Sequence, residues 1–422
     1  MGVFTRSRAG SILGGIAVVG VSAVFLAGCA GDSGGGSGTT EPSESLDLKI
    51  GTALPVTGNL AFLGPPEIAG TEYAASEVNA ANAGVTIEMI QGDSGDTDNK
   101  AYETEIPRLL GEGVSAIIGA ASSGTSLQFI DQVVGAGVIQ FSPANTSAAF
   151  TTYDDNGLYF RTAPSDTLQG EVLGNLIAES GAQTLGMIVL NDSYGTGLAS
   201  FVKDAFEAAG GTVVAEPTYN TGDTNFSAQV SEVVAANPDA IALITFEEVK
   251  TILPELFAAG VPADKLYFVD GNLSQFGSNG IDVGGSLEGA KGTLPGLSID
   301  TITDFTDSLN TFWVDEGNEE LTEFSYAAES YDAVILLALA SLAAGSTDGA
   351  AIADKLVEVS GGSGDGEKCT TFAACAEIIN GGGVADYDGI SGPITFDDVG
   401  DPTEASIGIY QYTADNDYVA YE

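Results

Sequence analysis

Val114-Ser115-Ala116-Ile117-Ile118-Gly119-Ala120-Ala121-Ser122-Ser123-Gly124-Thr125 decides how this chain is read. Residues 114–118 form a short, nearly continuous apolar run rich in β-branched side chains, which suits a strand buried on both faces. Residues 119–125 then offer small side chains, hydroxyls and free amides where a helix would begin, the arrangement that receives an anion. The same alternation extends to both sides. Strands are expected at 48–54, 85–90 and 138–141, and a helix at 99–112 in which Pro107 makes a kink or a break. A second set follows, with strands at 184–190, 212–215, 240–245 and 265–269 and helices near 195–209, 226–236 and 249–259. Further helices are expected at 303–314, 323–344 and 350–359, and the tail from 392 to 421 reads as short strands with turns. Strands alternating with helices predict an α/β fold of two similar doubly wound halves, each an open parallel sheet covered by helices on both faces.

Composition narrows the function classes. The chain has 422 residues, 12 Lys+Arg against 59 Asp+Glu, no histidine and a formal charge of -47. Its length suits two or three domains, each able to bury its own core. The charge repels phosphate backbones and anionic headgroups, which excludes nucleic acid as a partner and a polybasic patch as a membrane anchor. With 44% hydrophobic residues the chain is too apolar for an acidic disordered protein, so the acids coat a folded body. The missing histidine removes the usual general base near neutral pH and the commonest metal ligand, which weighs against triad hydrolases and most zinc enzymes. No catalytic residue, cofactor or metal is expected.

The N-terminal stretch reads as an address. Arg6 and Arg8 precede an apolar or small segment from 12 to 26, the layout of an export signal and too short for an ordinary membrane span. It closes with Leu26-Ala27-Gly28-Cys29, which resembles the lipobox of bacterial lipoproteins. That likeness implies removal of residues 1–28 and acylation of Cys29, which would hold the chain at the outer face of the cell membrane. Buried acyl CH2 groups contribute about 0.8 kcal/mol each to such an anchor. The alternative is a plain secretory signal with an incidental cysteine. Residues 29–45, rich in Gly, Ser and Thr, read as a flexible tether. Within it, Gly31-Asp32-Ser33-Gly34-Gly35 matches a nucleophile pattern, yet no strand precedes it, no helix follows it and no histidine exists to take the serine proton.

Ligands of open α/β sheets sit beyond the carboxyl ends of the strands. Three such positions stand out: the 119–125 loop with Ser122 and Ser123, the turn Ser142-Pro143-Ala144-Asn145-Thr146, and Asp270-Gly271 after the 265–269 strand. Together they offer neutral donors for a carboxylate and an acceptor for an ammonium, the two needs of a zwitterionic amino acid. Taken singly, each has a plainer reading: Ser122 and Ser123 cap a helix, Thr146 closes a turn, and Asp270 is a solvated loop acid.

The ordered set of Ile50-Gly51-Thr52-Ala53-Leu54-Pro55-Val56-Thr57-Gly58, Gly64, Ile118 to Ser123, Phe141 to Thr146, Tyr194-Gly195-Thr196-Gly197, Tyr331-Asp332-Ala333 and Gly392-Pro393-Ile394-Thr395-Phe396 resembles the branched-chain amino-acid binding proteins. These are type I periplasmic binding proteins that deliver ligands to ABC transporters, and the resemblance runs from about Leu46 to the C-terminus. It implies two lobes joined by crossing hinge segments, with 46–163 and 297–390 in one and 164–296 and 391–422 in the other. It further implies a monomer that closes on an amino acid, by default a branched-chain one, and partners in the ABC permease subunits of the membrane. Ser123 and Thr146 then match hydroxyl donors to the ligand carboxylate, and Ala144 a backbone contact. Asp270 matches the acid that pairs with the ammonium, Tyr194 an aromatic that closes over the ligand, and Phe246 a second aromatic position. Leu63 or Phe62, with Tyr326, line the side-chain pocket. Asp270 is shorter than the glutamate of the leucine-binding members, and Phe246 has no hydroxyl to donate, so the family pattern leaves the ligand open. Amides, urea and small carboxylates are the alternatives.

Other residues are read on their own. Cys369 and Cys375, an even pair in an exported chain, are expected to form a local disulfide. Arg161, just before Ala163-Pro164, is expected to make a structural salt bridge at a crossing between lobes. Asp397, Asp398 and Asp401 lack EF-hand spacing and read as a solvated turn rather than a calcium site. Glu329 lies one helical turn beyond Tyr326, either as a polar contact to the pocket or, the favoured reading, on an exposed helix face. Trp313 is expected to pack. Two rival classes remain: a sensory input module of the same fold, and an exported hydrolase using paired carboxylates, for which no acid pair can be singled out.

Overall fold

The computed structural model describes residues 45–421. The expected leader 1–28, the expected lipidation site Cys29, the Ser33 motif and nearly all of the tether lie outside the described residues.

The first sheet contains β1 (Leu46–Ala53), β2 (Val85–Ile90), β3 (Ala116–Gly119), β4 (Ile139–Ser142) and β5 (Tyr159–Arg161), in the order β2-β1-β3-β4-β5 with every pairing parallel. Its central strands β3 and β4 are buried at every position, as their unbroken apolar runs require. The helices α1 (Gly64–Ala81), α2 (Tyr102–Gly111) and α3 (Ser123–Gly135) connect these strands. Pro107 sits inside α2, which starts three residues later than the expected 99 because 96–101 is instead a turn organised by the Asp96 and Asn99 side chains.

The second sheet begins with β6 (Thr184–Leu190), β7 (Thr212–Ala215), β8 (Thr218–Tyr219), β9 (Ala240–Ile244), β10 (Leu266–Phe268) and β11 (Lys291–Pro295), again parallel throughout. Between or before them lie α4 (Asp166–Glu179), α5 (Gly195–Ala208), α6 (Ser227–Ala236) and α7 (Val249–Ala258). The chain then returns to the first sheet with α8 (Thr303–Asp315), α9 (Ala327–Ala344), α10 (Gly349–Val359) and α11 (Phe372–Asn380). A small sheet accompanies them, made of β12 (Glu367–Cys369), β13 (Ala385–Gly389) and β14 (Gly392–Pro393). Last, β15 (Ile407–Tyr412) adds antiparallel to β11, and β16 (Tyr418–Ala420) to β15.

Each sheet has its own core, so the described chain forms two bodies. Phe396 packs on Phe141 and Phe160 in the first, so the tail changes body at 397–406, later than the expected boundary at 391. Helix α9 is long and apolar enough to cross a membrane, but it is the core helix of the first body, packed by α1, α10 and α11. Gly70 permits the close approach of α1, since a Cβ there would strike the carbonyl of Ala327.

Three crossings join the bodies, and Arg161 ties the first to the third. Its Nε and Nη2 donate to the two carboxylate oxygens of Asp401 at 2.6 and 2.8 Å, and its Nη1 donates to the carbonyls of Asn145 and Ser147. The expected structural salt bridge of Arg161 is present. The reading of Asp401 as a solvated turn acid is corrected: it is a buried partner, matched to a guanidinium that pairs with no other carboxylate among the described residues. Asp397 shapes the turn by accepting from the amides of Val399 and Asp401. Cys369 and Cys375 are disulfide-bonded and close a short loop between β12 and α11.

Candidate functional site

The carboxyl ends of β3 and β4 deliver two loops side by side. Gly119 is at φ +122, and a Cβ there would strike the Ala53 carbonyl, so glycine is required for the chain to leave β3 along this path. Asn145 Nδ2 donates to the carbonyls of Ala120 and Ala121, and Ser142 Oγ donates to the first of these while accepting from the amides of Ala144 and Asn145. Ser122 caps α3 by accepting from the Thr125 amide at 3.2 Å, so its plainer reading holds. Ser123 Oγ accepts from the Ser147 amide at 3.3 Å. The Thr146 hydroxyl is buried with no hydrogen-bond partner among the described residues.

The second body supplies the acids. Asp270, at the end of β10, accepts at Oδ1 from the Tyr194 hydroxyl at 2.7 Å and from Gln169 Nε2 at 3.0 Å. Its Oδ2 accepts from the Tyr326 hydroxyl at 2.7 Å, a bond that crosses between the bodies. Burial raises the Asp270 pKa above the ordinary carboxylate value, and the three donors pull it back in part. The Tyr194 and Phe246 rings stack with centroids 5.3 Å apart.

Ser123, Ala144, Thr146, Tyr194, Phe246, Asp270, Leu63 and Tyr326 all line one cavity, together with Leu60. Its volume is about 10 Å³, room for a single water with the bodies in this contact. Of the two residues weighed for the same wall, Leu63 faces the cavity and Phe62 does not: Phe62 lines a separate groove with Pro65 and Trp313. The bodies also touch through Asn59 Nδ2 donating to Glu248 at 2.6 Å and Ser147 Oγ donating to the Ser193 carbonyl at 3.0 Å.

Two participants escaped the sequence reading. Gln169 fixes Asp270, and Asp166, one helical turn earlier on α4, is fully buried with neither carboxylate oxygen hydrogen-bonded among the described residues. Burial pushes the Asp166 carboxyl well above its usual range and the charge of Asp270 adds to this, with the charge of Arg161 offsetting it in part. Ser165-Asp166 has the pattern of an ordinary helix start, which hid it. The available signal was position, directly after a crossing. Glu329 also differs from expectation. It is buried on neither an exposed face nor the Asp270 cavity, but against Gly296 at the second crossing, and burial lifts its pKa to about 8. Among the described residues, no group of three or more Cys, Asp or Glu is arranged to hold a metal ion.

Residues 47–412 match the family model described as "Periplasmic binding protein". The chain belongs to this family. The similar relatives of this periplasmic binding protein are binding proteins, not enzymes. One is the leucine-, isoleucine-, valine-, threonine- and alanine-binding protein of Pseudomonas aeruginosa, 31% identical over 45% of this chain and 51% of the relative. Another is a Leu/Ile/Val-binding protein homolog of Brucella suis, 27% identical over 74% of this chain and 82% of the relative. The chain thus spans about half the length of the first of these relatives and most of the second. The leucine-binding protein LivK of Thermotoga maritima superposes with a TM-score of 0.71 at 22% identity, over 89% of this chain and 98% of the other. A Rhodopseudomonas palustris solute-binding protein in complex with benzoate superposes with a TM-score of 0.68 at 18% identity, over 89% and 95%. The fold is therefore the type I periplasmic binding protein fold.

Proposed function

We propose that this chain is an extracytoplasmic solute-binding protein, anchored through Cys29, that takes an amino acid with a small aliphatic side chain between its bodies and passes it to an ABC permease. One observation carries the reading: neutral donors from the first body and a buried carboxylate from the second face a single cavity. Ser123, Thr146 and the backbone at Ala144 suit a carboxylate. Asp270 has about four acceptor positions and three donors, which leaves room for an ammonium N–H. Leu60, Leu63 and Phe246 suit an aliphatic side chain. The Pseudomonas aeruginosa relative is named for binding leucine, isoleucine, valine, threonine and alanine, which points the same way.

The proposed mechanism is binding without chemistry. A cavity of about 10 Å³ admits no amino acid, so the bodies part for entry and close again around the ligand. Closure is favoured by as much as the ligand prefers the closed form, and the permease reads that form.

Benzoate is the second reading, favoured by its presence in a fold neighbour and by the aromatic walls of Tyr194, Phe246 and Tyr326. Against it, Asp270 repels an anion that brings no cation. Titration calorimetry with leucine, valine, alanine and benzoate separates the two. Heat from an amino acid with none from benzoate supports the proposal, and the reverse overturns it.

A further inference from the structure

A second and larger concavity lies beside the ligand cavity and shares none of its lining. It holds about 350 Å³, within the range of about 300–1,000 Å³ typical of ligand sites. Phe62, Pro65, Trp313 and Leu321 come to it from the first body, and Asn279 and Ile281 from the second. Its floor is a clasp between the bodies. Thr322 Oγ1 donates to Asn279 Oδ1 at 2.6 Å, and Glu323 accepts from Ser274 Oγ at 2.9 Å, from the Tyr418 hydroxyl at 3.1 Å and from the Gln275 amide. Parting the bodies therefore takes the groove apart.

Charge selects the occupant. Glu319 and Glu320 stand exposed on the rim, Glu323 lies beneath, and no lysine or arginine lines the groove. Trp313 is half-buried in the wall, where its ring can receive a cation. A second copy of the chain is a poor occupant, since 12 basic residues against 59 acidic ones make two copies repel. We propose that this groove docks a basic segment of the membrane partner, an arginine or lysine lying on Trp313 between Glu319 and Glu320, and that it forms only when the two bodies are together. The inference rests on the transport reading above and adds to it the surface that reports closure.

Trp313 is the sole tryptophan of the sequence, so its emission reports occupancy directly. The full chain is titrated with a pentaarginine peptide, with and without saturating leucine. The expected result is a saturable shift of Trp313 emission, at least fivefold tighter with leucine present. Glu319→Gln/Glu320→Gln should weaken the peptide at least tenfold and leave the leucine affinity unchanged. The charge-matched control Glu207→Gln/Glu232→Gln, on exposed helix positions elsewhere, should leave both unchanged. Equal losses in the two double variants would mean generic attraction to the acidic surface and overturn the proposal. So would an equal response to free arginine, or an emission change driven by protein concentration alone. If leucine binds and the peptide does nothing, the groove proposal falls while the amino-acid reading stands. If no amino acid binds but the peptide does, with the same loss in Glu319→Gln/Glu320→Gln, the groove stands and the ligand reading falls.

Discussion

The Tyr326 hydroxyl, at the head of a helix in the first body, lies 2.7 Å from Oδ2 of Asp270, at the end of a strand in the second. A single hydrogen bond thus joins the centre of the site to the contact between the bodies. Tyr326 stands just before α9 at φ +60, and its side chain lines the cavity. Tyr326→Phe removes that bond without removing the ring. Leucine should bind more weakly by about 1.5–3 kcal/mol, the range for a hydrogen bond to a charged group. Small-angle scattering should show a more open average shape, and an unchanged envelope with unchanged affinity would count against the link.

Asp270→Asn keeps the size of the side chain and removes its charge. Amino-acid affinity should fall by about 2–5 kcal/mol, the cost of breaking a buried hydrogen-bonded charge pair. The melting temperature should hold or rise, because the native carboxylate is buried against its preference. Calorimetry and a melting curve on the same preparation check both halves.

On the opposite wall, Ser123→Ala and Thr146→Val test the carboxylate position. Each should cost about 1–3 kcal/mol of binding. The losses should be similar for leucine, valine and alanine, since the carboxylate is common to all three. A loss confined to one amino acid would move these residues to the side-chain end.

Glu329 gives a pH dependence. Its ordinary pKa is 4.5 and burial in the native state lifts it to about 8, so its contribution to stability is fully present below 4.5 and is lost as pH rises through 8. Melting temperature should therefore drop between pH 6 and pH 9. Glu329→Gln, which cannot ionise, should reduce that drop and raise stability at pH 9 by a few kcal/mol, on the order of 1.4 kcal/mol per pKa unit. Parallel pH curves for the two proteins would refute this role.

Much of the architecture was legible because burial writes itself into sequence. The unbroken apolar runs at 114–118 and 138–141 are what a strand covered on both faces needs, and β3 and β4 fall on them. The helix expected at 323–344 shows the limit of that reasoning. Periodicity carries it back to Glu323, but α9 begins at Ala327, since Glu323 is spent on Ser274, Gln275 and Tyr418 and Tyr326 on Asp270. Long-range partners decided those residues, and local pattern holds no record of them. The same holds for Asp401 and Gln169, whose partners Arg161 and Asp270 lie 240 and 101 residues away. That Ser123, Thr146 and Asp270 follow strand ends was legible because that position is itself a sequence property.

The Arg161 to Asp401 pair has a mechanical corollary. It fastens the end of β5, where the first connecting strip leaves, to the third strip, so on the reading proposed above the two strips would turn together as one axle. A shared axle of that kind would bring the wall residues back to the same places each time the bodies met.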